Sequence, residues 1–164
     1  MIKSWMAIAT ISFLISMCAI PLITPSDIKW YKNLHRPTWL TFEAFIPVIW
    51  TVILVCGVIS ADLVWNQEIG IFKSWLTMAF YLILEIVIIA YVPITLRSHN
   101  LKLGTWVGLT GFGLGILLTL GVWQISESAT LLLLPYLIWS PIGSYTTWAL
   151  ARLNSSPQSL ISNL

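Results

Sequence analysis

Two tryptophans and one carboxylate stand where an apolar chain has least reason to put them. Trp50 falls inside the apolar run 45–65 and not at its end, and Trp139 falls near the middle of the run 129–151. Indole rings in such places offer flat stacking faces to a planar hydrophobic molecule. The stretch that leads into the first run adds Trp30, Tyr31 and Trp39, interleaved with Lys29, Lys32, His35, Arg36 and Pro37. Rings and cations of that kind can cover a pocket and meet anionic groups at its rim. Glu85 lies ten residues from Trp75 and eleven from Leu96, at the centre of another apolar run. A carboxyl at mid-membrane costs roughly 2.5–3.5 kcal/mol, offset in part by neighbouring Leu and Ile at about 0.3–0.6 kcal/mol each. Glu85 should therefore face the bundle or a cavity, where desolvation favours its neutral form. Tyr81, one turn earlier, is the expected hydrogen-bond partner, and the carboxyl is either a functional group or a structural donor. Asp62, three residues before Trp65, is shallow enough to reach interfacial water.

These residues need a scaffold, and the composition restricts which one. Of 164 residues 58% are hydrophobic and 9% charged, far from the quarter charged of soluble chains, so a membrane domain follows. A net charge of +2 without a basic stripe argues against nucleic acid. Cys18 and Cys56 both fall inside apolar runs and read as free buried thiols. No phosphate-cradling glycine loop, nucleophile–base pair or metal-ligand spacing stands out, so no catalytic and no metal residue is assigned.

Five runs, at about 5–23, 45–65, 75–96, 104–123 and 129–151, are each long enough to span the hydrocarbon core. The expected fold is an all-α membrane protein, a five-transmembrane-helix bundle in one domain over 1–152, with a polar tail at 153–164. The first run reads as a retained span, with an uncleaved signal anchor as the variant. Residues 24–44 form the one connector long enough for structure of its own, a lid loop, and Pro21 and Pro25 end the first helix before it. Lys29, Lys32, Arg36, Arg97, Lys102 and Arg152 fall on one side of the bundle and only Lys3 and Lys73 on the other. That bias places the connector and the C-terminus in the cytoplasm and the N-terminus outside.

The other tryptophans mark the interfaces: Trp5, Trp65, Trp75 and Trp123 on the outer side, Trp106 and Trp148 on the cytoplasmic side. Gly104, Gly108, Gly111 and Gly115 recur on one helical face and predict a close helix–helix seam, in the same chain or a second copy. Pro135 and Pro141 predict kinks in the last helix, whose Ser140, Ser144, Tyr145, Thr146 and Thr147 are expected mostly to bond their own helix.

The connector and the helix after it resemble the tryptophan-rich sensory protein/translocator protein family (TspO/MBR). That family carries a WYxxLxKPxWxPP loop, then a Trp-Thr or Trp-Gly pair and a closing LVW. Trp30, Tyr31, Leu34, Arg36, Pro37 and Trp39 match the loop, with Arg for Lys; Trp50-Thr51 and Leu63-Val64-Trp65 follow at the expected gaps. Leu134-Pro135-Tyr136-Leu137 and Trp139 match the family's PYLxW. The chain departs from the pattern where the loop's Pro-Pro is Thr41-Phe42, where a Gln and an Asn of the third helix are Leu84 and Ile88, and where a late Asn is Thr147.

The resemblance implies a bundle, commonly a homodimer, whose pocket under the first cytoplasmic loop binds porphyrins, haem, bilin or similar hydrophobic molecules. It implies a receptor or transport role in a bacterial cell membrane, or in the mitochondrial outer membrane of a eukaryote, with no cofactor required. In some members a light- or oxygen-dependent porphyrin breakdown is tied to the tryptophans that Trp50 and Trp139 match, and a ligand-free scaffold is the remaining alternative. The expected ligand-binding set is Tyr31, Trp39, Trp50, Trp139, Glu85, Arg36, Pro37 and Gly143. A loop imidazole, His35 or His99, could ligate haem iron; otherwise it is solvated or packs under the lid.

Overall fold

The computed structural model describes residues 3–67 and 70–155, and every regular element among them is helical. Six helices follow in chain order: α1 (Ser4–Ala19), α2 (Pro25–Lys32), α3 (Ile46–Trp65), α4 (Ile71–Arg97), α5 (Leu101–Trp123) and α6 (Glu127–Leu153). Short 3-10 turns lie at Ile20–Leu22 and Glu43–Phe45. With these turns included where they adjoin, α1, α3, α4 and α5 are long and apolar enough to cross a bilayer. At 27 residues α6 is as long as α4 but less apolar. Of the expected tail, residues 156–164 lie outside the described residues.

The polarity of α6 has a packing reason. Ser140, Ser144, Thr146 and Thr147 are all buried against neighbouring helices and do not face lipid. Three of these hydroxyls also satisfy themselves locally: Ser144 donates to the Ser140 carbonyl at 2.9 Å, Thr146 to Ile142 at 2.8 Å and Thr147 to Gly143 at 3.2 Å. A hydroxyl bonded four residues back carries little desolvation cost, so a helix enclosed by others tolerates several.

The core joins α3, α4, α5 and α6 through Ile53, Val64, Leu84, Leu118, Val122, Leu133 and Tyr136. The glycine face of α5 closes this core, and it does so inside the chain. A Cβ built on Gly115 would collide with the Tyr136 ring, and one on Gly104 with the Thr95 side chain. On Gly108 it would stand 2.5 Å from Ser144 Oγ, and on Gly111 2.9 Å from the Tyr136 hydroxyl. α5 therefore packs on α4 and α6 at distances only a missing side chain allows.

α1 is different, because none of its residues is buried. It meets the bundle through polar contacts: Ser4 Oγ donates to Asp62 Oδ1 at 2.6 Å and Ser12 Oγ to Glu85 Oε2 at 3.0 Å. Cys18, expected to be buried, is exposed on this peripheral helix, and Cys56 is only partly covered.

α2 is the structure inside the connector. Thr24 caps it, its hydroxyl accepting from the Asp27 amide while the Asp27 carboxylate accepts from the Thr24 amide at 2.9 Å, and Pro25 occupies the first turn.

The seam yields a test. Gly115→Leu is expected to destroy the folded monomer or lower its unfolding midpoint strongly, whereas Gly121→Leu, with open space beside it, should be close to neutral. Thermal unfolding in detergent with size-exclusion chromatography reads both.

Candidate functional site

Beneath the connector, α3, α4, α5 and α6 enclose a cavity of about 390 Å³. That lies within the range of small-molecule sites. Trp50, one turn into α3, and Trp139, from the middle of α6, stand on its walls with Tyr31, Phe42, Pro47, Tyr91, Tyr136 and Gly143. The two tryptophans that the sequence placed away from the interfaces thus meet on one space. Tyr136 tilts against Trp50 with centroids 6.4 Å apart, and the Phe42 ring stands edge-on to Trp139 at 6.1 Å. Phe42 occupies the position where the loop pattern has its second proline, so this departure puts a ring over the cavity.

No charged side chain is among the walls. The polar lining is hydroxyl and mostly partnered: Tyr91 pairs with Thr147, and Thr95 donates to the Tyr91 carbonyl at 2.7 Å. The exception is the Trp139 Nε1–H, which is buried and finds no hydrogen-bond acceptor among the described residues. Such a donor costs free energy unless something else accepts from it. The cavity can therefore hold a largely apolar, flat body and leave any anionic substituent at its mouth.

The connector is pinned over this space at several points. Asp27 accepts from His99 in the α4–α5 turn at 3.2 Å, and Trp30 stacks on the same imidazole at 4.8 Å. The Asn154 side chain grips the His35 backbone twice, accepting from its amide at 2.9 Å and donating to its carbonyl at 3.0 Å. Trp39 stacks on Tyr145 of α6 at 5.7 Å. Glu43 receives the Tyr31 hydroxyl at 3.0 Å and the Arg36 Nε at 3.1 Å, tying the two halves of the connector together. Burial and the Glu43 charge push the Tyr31 hydroxyl up to about 12, so it stays a donor across the physiological range.

The expected ligand set divides on this geometry. Tyr31, Trp50, Trp139 and Gly143 line the cavity. Trp39, Arg36 and Pro37 do not: Trp39 lies on the outer face of the lid at 42% exposure, and Arg36 is engaged by Glu43 and lies over the Tyr31 ring. Glu85 does not either; it borders two other cavities, shared with α1. Nor is Tyr81 its partner, because that hydroxyl bonds Ser60 at 2.6 Å while Ser12 serves Glu85. Neither His35 nor His99 reaches the walls. Tyr91, Tyr136 and Phe42 line the cavity as well, outside the expected set. The stripe Leu84, Ile88, Tyr91, Thr95 at three- and four-residue spacing was the signal for Tyr91.

A family model described as the TspO/MBR family matches residues 6–153. The chain belongs to the TspO/MBR family. Among relatives, the tryptophan-rich protein TspO of Bacillus cereus is 27% identical over 133 residues, covering 81% of this chain and 86% of that one. The membrane protein YtaB of Bacillus subtilis is 25% identical over 79% of this chain and 83% of its own. The protein CrtK of Rhodobacter capsulatus is 27% identical, over 76% and 78% respectively. The match spans all six helices, so this TspO/MBR chain carries both the bundle and the lidded cavity inside the region that the family shares.

Hydrogen bonds from the Thr24 amide and hydroxyl, aided by His99 and opposed by burial, hold the Asp27 carboxyl below the usual carboxylate range. A depressed folded-state value stabilises the fold above the unfolded value of about 3.9 and is lost as pH falls through the folded one. Thermal midpoints measured from pH 7 to pH 3 should hold above about pH 5 and drop below about pH 4. Asp27→Asn should start lower and lose part of that drop; an identical acid profile in the mutant would contradict the role given to this clasp.

Proposed function

We propose that this TspO/MBR protein crosses the membrane five times, N-terminus outside and C-terminus in the cytoplasm, and binds tetrapyrroles beneath its first loop as a receptor or transporter-like protein. The observation that carries the reading is the cavity itself: two indoles and several phenol rings around an uncharged space, with one buried indole N–H lacking an acceptor. A macrocycle presents a flat apolar body, and stacking on aromatic faces is worth about 0.5–1.5 kcal/mol per ring pair.

Topology enters through the connector. Its contacts with His99 and Asn154 place the connector, the α4–α5 turn and the end of α6 at one end of the bundle. Lys29, Lys32, Arg36, Arg97, Lys102 and Arg152 belong to that end, which supports a cytoplasmic assignment in a bacterial cell membrane. α6 serves as the fifth span because its hydroxyls are enclosed. Propionates would remain at the mouth, within reach of Lys32 and the connector cations, because nothing inside can neutralise them. Haem would be held by its macrocycle without an imidazole ligand, since the His99 ring is paired with Asp27 and neither histidine is among the cavity walls. If two copies pair, they do so away from the glycine face of α5, which is spent inside the chain.

Quenching of tryptophan fluorescence by protoporphyrin, haem and bilin tests this reading. Trp50→Phe and Trp139→Phe are each expected to weaken binding by about 0.5–3 kcal/mol, while Trp5→Phe and Trp123→Phe should not. Equal affinities in the two pairs would remove the cavity from the reading. Running the titration without oxygen and then admitting air and illuminating separates holding from breakdown, because a porphyrin that is only bound keeps its spectrum.

A further inference from the structure

A second space lies in the opposite half of the bundle. Between α1, α3 and α4 the chain forms a cavity of about 410 Å³, bordered by Ser4, Ser12, Trp65, Trp75, Tyr81 and Glu85. A constriction of about 70 Å³, also bordered by Ser12, Tyr81 and Glu85, leads toward Tyr136 and Ile88, which the lidded cavity shares. The two large spaces differ in electrostatic character. Among the described residues the lidded one has no charged wall, whereas this one has a carboxyl and no Lys, Arg or His. A second carboxyl, Asp62, stands behind Ser4, whose hydroxyl it accepts at 2.6 Å.

Glu85 is only half satisfied. Its Oε2 accepts from Ser12 at 3.0 Å, while its Oε1 is buried and has no partner among the described residues. An unpaired carboxyl oxygen in an apolar setting is costly, and a donor that also carries positive charge offsets most of that cost. The remaining walls favour the same class. Trp65 and Trp75 meet edge to face at 5.3 Å, and Tyr81 adds a third ring; aromatic faces attract cations and repel anions.

From these features we propose that the α1–α3–α4 cavity is a second binding site, selective for a lipophilic amine whose ammonium bonds Glu85 while its apolar body fills the space between Trp65, Trp75 and Tyr81. Ser12 is the positioning residue, since its hydroxyl occupies one carboxyl oxygen, and the carboxyl turns to bring the other, buried in the empty site, toward the ligand. The lidded cavity takes no part in the recognition, so the proposal stands or falls apart from the tetrapyrrole reading.

The test uses the whole chain in lipid nanodiscs, with empty nanodiscs as the blank. The probes are a radiolabelled naphthylalkyl amine and its N-acetyl derivative, which keeps the body and removes the charge. The amine should bind saturably at one site per chain, at least tenfold tighter than the acetylated form. Glu85→Gln should lose at least tenfold for the amine and nothing for the acetylated form, and Trp50→Phe should bind the amine as the parent does. Equal binding of the two probes overturns the proposal, as does an unchanged affinity in Glu85→Gln. Failure to exceed the blank also overturns it and assigns the space to acyl chains or a second copy. Should Glu85→Gln fail to fold, the two probes on the parent chain and on Trp75→Ala decide, with at least a severalfold loss of the amine expected in the latter.

Discussion

The approach of the Tyr136 ring to Gly111 and Gly115 is the contact on which the rest of the bundle depends. Lipid is as apolar as a leucine side chain, so helices in a membrane gain little from burying hydrocarbon and must gain from close packing. Removing side chains along one face of α5 lets α6 come close, and Tyr136 fills the space. Trp139, Ser140 and Gly143 follow on α6, within two turns after Tyr136, and form one wall of the lidded cavity. The same face presses on Thr95 through Gly104, which sets the opposite wall. The cavity is thus a consequence of where α5 is narrow.

Its cover is built on another principle. The connector packs Trp30, Tyr31 and Leu34 on Leu101, Leu150 and Ala151, and it is fastened further by separate polar and stacking contacts to the α4–α5 turn, to the end of α6 and to itself. Each polar contact is modest, on the scale of about 1 kcal/mol for a net hydrogen bond. Contacts of this strength hold a lid closed on average and can be released singly, as entry of a ligand into a covered pocket requires. His99, at φ 48 in the left-handed region, carries two of them at once, its ring both paired to Asp27 and stacked on Trp30.

Much of this arrangement was legible beforehand, and the gaps have physical causes. Trp50 and Trp139 could be recognised because an indole away from the headgroups has lost its usual reason for being there. The glycine spacing announced a seam, but spacing on one helix cannot name its partner, and Tyr136 emerged only from the packing. Glu85 was conspicuous by its cost; its neighbour was not, because the docking of α1 decides that Ser12 and not Tyr81 reaches it. Arg36 and Trp39 looked like site residues from their company in the loop. In the folded chain Glu43, itself in that loop, takes the guanidinium, and Tyr145 takes the ring. The hydropathy of α6 understated its burial because hydroxyls bonded within their own helix count as polar in a sequence and as nearly neutral in a bundle.

The proposed ligand position lies between Trp50 and Trp139 beneath the connector. A structure of the protein with protoporphyrin bound tests it most directly. The macrocycle is expected within van der Waals contact of both indoles, with an acceptor for the Trp139 Nε1–H and the propionates at the connector mouth. A macrocycle found in the α1–α3–α4 cavity, or on the lipid-facing surface with the lidded cavity collapsed, would contradict it.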